Sequence, residues 1–155
     1  AADALQAAGA DEVFAVGGNV QALEAAGLRV VPDLWPGEGP LGGILTALDA
    51  ATADVVVVLA CDLPGVRGEA VGAVLDGLGD ADVAVPTVEG RAQHLLAAWR
   101  RASAQARLTE AFRSGERAIW RACEGLCVAR VTLRDAAWAR DADDPAALFR
   151  PTDRG

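Results

Sequence analysis

Short apolar runs along this chain alternate with alanine-rich stretches of helical period, and Gly or Pro punctuates nearly every junction. Residues 55–60, Val-Val-Val-Val-Leu-Ala, show no polar alternation, which is the pattern of a strand covered on both faces in a parallel sheet. Shorter runs at 13–16, 29–31, 83–86 and 127–133 predict further strands, and 95–99 fits strand and helix equally. Residues 2–8, 20–26, 71–78, 102–112 and 118–123 read as helices, with Gly9, Gly27 and Ser114-Gly115 as stops. Residues 33–39 hold Pro36, Gly37 and Gly39 and must form a loop. Pro40 then opens a helix reaching about residue 53, because proline lacks the N–H that a first turn leaves unpaired anyway. Residues 88–91 read as a turn, and Pro145 opens a last short helix through 149. This alternation predicts an α/β fold: a three-layer α/β/α sandwich around a mostly parallel, Rossmann-like sheet, in one domain spanning 1–155.

Composition narrows the partners. At 155 residues the chain has room for one real core, and 52% apolar with 23% charged residues excludes a disordered tail. There is no Lys, so all 14 basic residues are Arg, and the net charge of −8 is a poor match for a phosphate backbone; no nucleic acid partner is expected. The three Cys form no Cys-x-x-Cys pair and only one His is present, so a zinc site would need an unusual ligand set. Buried free thiols in a reducing cytoplasm are the expectation. No run approaches the ~18 apolar residues of a membrane helix, and the start shows no secretory pattern, so a soluble, cytoplasmic protein with no membrane contact is expected.

In open α/β sheets, ligands bind outside the carboxyl ends of the strands, which singles out three places. Asp62 is the first carboxylate after the most apolar strand, where a rigid backbone suits a Mg²⁺ ligand; an Asp capping the following turn fits the same position. Gly37-Glu38-Gly39-Pro40-Leu41-Gly42-Gly43 is a glycine-rich loop entering a helix, able to bring backbone close to a polar or anionic ligand, or simply to connect two elements. It is not a P-loop, since no Gly-Lys-Ser/Thr follows. Asp33 ends its own strand beside that loop. In Asp141-Ala142-Asp143-Asp144-Pro145, carboxylates 141 and 143 share one side of an extended backbone, while Asp144 and Pro145 suit the N-cap and first position of a helix. Gly17-Gly18-Asn19 lacks the third glycine of a dinucleotide fingerprint, and lone His94 has no nucleophile at a recognisable spacing. Arg91, Arg113 and Arg117 carry planar forks suited to phosphate, as well as to an exposed surface; we place Arg91 with Asp141 on the substrate side. Trp35, Trp99, Trp120 and Trp138 are read as core and rim packing.

In order, Asp33, Gly39-Pro40-Leu41-Gly42-Gly43-Ile44, Cys61-Asp62-Leu63-Pro64 and Asp141-Ala142-Asp143-Asp144-Pro145 resemble the molybdenum cofactor guanylyltransferases, nucleotidyltransferases of the GT-A type. The resemblance implies transfer of GMP from Mg-GTP to molybdopterin with release of pyrophosphate, with Mg²⁺ as cofactor. It implies Asp62 as the catalytic metal ligand, joined by Asp143, and a nucleotide pocket at Asp33, Gly39, Pro40, Leu41 and Gly42. It also implies handover of the finished cofactor to a molybdoenzyme or its chaperone. Cytidylyl transfer, another small-molecule nucleotidyl transfer, and a catalytically degenerate binding module stay open as alternatives. Two departures stand out. His94 occupies the place of a usual Pro-Leu pair, and the family signature Leu-Ala-Gly-Gly-x-x-x-Arg-Met-Gly-x-x-Lys is absent from these 155 residues. The chain also holds no Met and opens in what reads as helix, so a strand–loop–helix start of ~30 residues is expected upstream.

Overall fold

The computed structural model describes residues 1–139. In chain order its elements are α1 (Ala2–Ala7), β1 (Phe14–Val16), α2 (Val20–Ala25), β2 (Arg29–Val31), α3 (Pro40–Ala50), β3 (Val55–Leu59), α4 (Gly68–Leu78), β4 (Val83–Val88), β5 (Arg91–Ala92), β6 (Leu96–Arg100), α5 (Arg101–Arg113), α6 (Ile119–Ala122) and β7 (Val128–Val131), followed by a 3-10 turn at Ala136–Ala139. Asp141 and Asp143, with the acidic turn and last helix expected there, lie outside the described residues.

Alternation along the strands produces the three layers. Val56 and Val58, Val83 and Val85, and Ala97 and Trp99 point to the face covered by α3, α5 and α6, where Leu41, Ile44, Leu48, Leu108 and Phe112 fill the core. Their neighbours Val55, Val57, Ala84 and Ala98, with Ala129 and Val131 of β7, point to the opposite face and meet Val74 and Leu78 of α4. Helix α1 packs beside α4 on that second face. A strand with apolar residues at every position therefore serves two cores at once, and Trp99, fully buried, is the largest side chain in the first.

The α/β class is the observed one, and the sheet is mixed. β1 pairs parallel with β2, and β4 parallel with β7. β6 lies antiparallel between β3 and β4, in the register Val57 opposite Ala98 and Ala84 opposite Ala98. The cause is the connection: β4, β5 and β6 follow one another without a crossover helix, and short connections return a chain antiparallel. The expected turn at 88–91 is the tip of this hairpin, with Glu89 at φ 51° beside Gly90. Residues 95–99, open between helix and strand in the sequence, are strand. One further expectation changes. All three thiols are free, but only Cys123 is buried; Cys61 sits exposed in the loop after β3 and Cys127 exposed at the entry to β7.

Candidate functional site

The chain leaves β2 at Val31, and Asp33 immediately folds its carboxylate back on the backbone. Oδ1 accepts a hydrogen bond from Trp35 N at 2.9 Å, an Asx turn that sets the direction of the glycine-rich loop. The same oxygen lies 3.1 Å from Thr46 Oγ1, which is completely buried in the second turn of α3. Thr46 Oγ1 also accepts from Leu34 N at 3.2 Å, and its single proton is shared between Asp33 Oδ1 and Gly42 O at 3.0 Å. Asp33 and Thr46 together staple the loop to the start of α3. Thr46 is a residue the sequence reading did not single out. Its one signal is a hydroxyl in the otherwise apolar run Ile44-Leu45-Thr46-Ala47-Leu48, four residues after Gly42.

Gly39 and Gly42 answer different steric demands in this loop. Gly39 takes φ 82° as the N-cap of α3, a region that residues with a Cβ rarely enter. At Gly42 a Cβ would stand 2.9 Å from Cβ of Trp35, so a glycine lets the loop lie against the helix. Trp35 in turn packs on Phe112 of α5, ring centroids 4.9 Å apart and planes tilted by 56°. Arg117 closes the arrangement. Its Nε donates to Glu38 Oε2 at 2.7 Å, and its NH1 donates to the carbonyls of Phe112 and Glu116 at 2.9 and 2.8 Å. Its guanidinium lies over the Phe112 ring at 3.8 Å. An arginine read as one of several phosphate candidates thus anchors the loop.

On the other side, Asp62 stands three residues beyond the end of β3 at Leu59 and is exposed. Among the described residues its carboxylate takes part in no hydrogen bond or ion pair, which leaves it free for an external ligand. Asp33, Asp62, Pro40, Gly17 and Gly18 line one cavity of about 780 Å³, whose remaining walls are largely apolar. The structure therefore brings Asp33 and Asp62 to the same cavity, with Pro40 at its edge. Gly39, Leu41 and Gly42 support that edge from outside the lining, Leu41 as a fully buried core residue. Arg91 is exposed on β5 and does not line the cavity. His94 is half-buried; burial first, and the charge of Arg130 second, pull its pKa below the usual 6.5.

Metal fit follows from this donor set. No group of three or more His, Cys, Asp or Glu converges among the described residues. One free carboxylate facing a cavity nevertheless fits Mg²⁺, which keeps several waters and takes one or two carboxylates plus substrate phosphates.

Comparison with known proteins bears on the family of this chain. A probable molybdenum cofactor guanylyltransferase of Clostridium perfringens is 31% identical over 91 residues, 59% of this chain and 46% of the relative. One from Bacillus licheniformis is 40% identical over 82 residues, 51% of this chain and 42% of the relative, so the chain spans less than half the length of these relatives. Among solved structures, a molybdopterin-guanine dinucleotide biosynthesis protein A from Archaeoglobus fulgidus superposes with a TM-score of 0.61 at 27% identity, covering 76% of this chain and 61% of that one. The family model described as a MobA-like NTP transferase domain matches residues 1–129, the stretch that holds the stapled loop, Asp33 and Asp62. On that match, over most of its length, this chain belongs to the MobA-like NTP transferase domain family.

Proposed function

We propose that this chain forms the nucleotide-handling part of a molybdenum cofactor guanylyltransferase, moving GMP from GTP to molybdopterin. The observation that carries the reading is the free carboxylate of Asp62 lining one cavity with Asp33 and with Pro40 of the stapled glycine-rich loop, in a chain of this family. In the reaction an oxygen of the molybdopterin phosphate forms a bond to the α-phosphorus of GTP. The bond from that phosphorus to the bridging oxygen breaks, and pyrophosphate leaves with the electron pair. Negative charge grows on the phosphates as this happens, and a Mg²⁺ held there would neutralise part of it. Asp62 is the residue to hold that ion together with the phosphates, and Asp143 is the second carboxylate in this reading. Asp33 acts on the nucleotide through the loop whose direction it sets. Of the loop from Gly39 to Gly42, Pro40 reaches the nucleotide side while Gly39, Leu41 and Gly42 act by shaping the loop behind it; Asp141 and Arg91 are the residues assigned to the pterin side in this reading. The finished cofactor passes to a molybdoenzyme or its chaperone.

A second reading, a module that binds nucleotide without transferring it, is favoured by one observation. No arginine lines the cavity among the described residues, and the chain has no Lys, so the counter-charge for a triphosphate is incomplete. Titration of Mg-GTP against Mg-CTP, with and without Asp62→Asn, tests the shared part of both readings. Asp62→Asn is expected to weaken Mg-dependent GTP binding by roughly 10-fold or more, the value of one charge-assisted contact, while leaving the unfolding midpoint unchanged. Unchanged affinity would remove Asp62 from the site.

A further inference from the structure

Near its carboxyl end, β4 is flanked by two basic side chains that nothing satisfies. On one edge Gln93 N donates to Pro86 O at 2.9 Å, which brings His94 beside the strand. On the other edge Arg130 of β7 stands opposite Val85, and Val131 opposite Pro86. Val128 packs on the core beneath α3, α5 and α6, and Arg130, two residues further along β7, projects to the same face. Ala92 and Leu95, which bracket His94, pack on that core as well. Arg130 is exposed and His94 half-buried. Among the described residues neither side chain takes part in a hydrogen bond or an ion pair. The Arg130 charge opposes a proton on His94, and Cys123, which also feels it, brings no counter-charge because burial pushes its thiol up to about 11.

Their place in the sheet points to a ligand. β6 runs antiparallel to β3 and β4, and β7 runs parallel to β4, so β3, β4 and β7 point one way. Their carboxyl ends form the side of the sheet on which Asp62 stands, the side where open α/β sheets bind ligands. Ala60 N donates to Leu95 O at 2.8 Å, so His94 lies one strand over from the segment leading to Asp62. Neither His94 nor Arg130 lines the Asp62 cavity, which makes this a second place on that side. We infer that His94 and Arg130 form an oxyanion site that takes a phosphate group, with the planar fork of Arg130 and one ring N–H of His94 donating to its oxygens. An arginine fork matches two phosphate oxygens at once, and a neutral imidazole adds a donor without adding repulsion. A bound anion also offsets the repulsion that the pair suffers when the ring is protonated.

This inference goes beyond the transfer reaction proposed above, and its test involves no nucleotide, so either can fail alone. The natural-length protein is titrated with inorganic phosphate, and with sodium chloride at matched ionic strength as the baseline. The ring proton resonances of His94, assigned by their loss in His94→Gln, are followed through the histidine range of pH. Bound phosphate favours the protonated ring, so the His94 pKa is expected to rise beyond what chloride achieves by screening Arg130. Arg130→Gln is expected to weaken phosphate binding about 10-fold or more, the value of one charge-assisted contact. It is also expected to raise the His94 pKa of the phosphate-free protein, since the opposing charge is gone. Phosphate acting no more strongly than chloride, or acting equally on Arg130→Gln, overturns the inference. Should Arg130→Gln fail to fold, phosphate against chloride in the unaltered protein decides. Methyl phosphate as a second probe identifies the source of the group. A response equal to that of inorganic phosphate supports a site for phosphate monoesters, and a response to inorganic phosphate alone supports one for the free ion.

Discussion

At the scale of single residues, Thr46 in an apolar helix start and Asp33 in the preceding loop show how one polar pair can fix a glycine-rich loop. The Thr46 hydroxyl accepts from Leu34 N and shares its proton between Asp33 and Gly42. Thr46→Val keeps the volume but leaves a partly buried N–H and a carboxylate oxygen without that partner. It is expected to cost about 1–3 kcal/mol in a urea melt, while Thr46→Ser recovers most of it. His94 supplies a second test. Its folded pKa lies below 6.5, so the unfolded chain takes up the proton more readily. The stability tied to neutral His94 is thus fully present above about pH 6.5 and is lost as pH falls from there toward the folded value. Unfolding curves at pH 8 and pH 5.5 check this, with a flatter dependence expected for His94→Gln.

Between elements, the loop 33–39 is held from three sides: by the Asx turn, by Gly42 beneath Trp35, and by Arg117 from beyond α5. The Glu38–Arg117 pair is half-exposed on both sides, so its charge attraction alone is worth little. The arginine also stacks on Phe112 and caps two carbonyls, which orders the loop. Arg117→Ala is expected to weaken GTP binding roughly 3–10-fold, the cost of ordering one loop on binding, with a small shift in melting temperature. Arg117→Lys is not expected to restore binding, because an ammonium cannot supply the planar fork. Helix and strand positions were largely legible in the sequence, since Gly9, Gly27, Pro40 and the valine run of β3 carry local signals. The antiparallel insertion of β6 was not, because strand direction depends on which edge the hairpin meets, a long-range choice without local periodicity. Asp33 and Asp62 were legible as strand-end acids. Thr46 and Arg117 were not, as their roles exist only once α3 and α5 pack together.

For the whole molecule, strands of both sheets line one cavity, and the acids of the candidate site line it too. Among its described lining residues there are carboxylates and no arginine. The central claim is that this site transfers a guanylyl group. Its most direct test is a single-turnover reaction of the natural-length protein with α-phosphorus-labelled GTP, Mg²⁺ and molybdopterin. The account predicts that the label moves into the pterin product with stoichiometric release of pyrophosphate, and that CTP does not replace GTP. Mg-GTP bound tightly with its label never leaving GTP would contradict it.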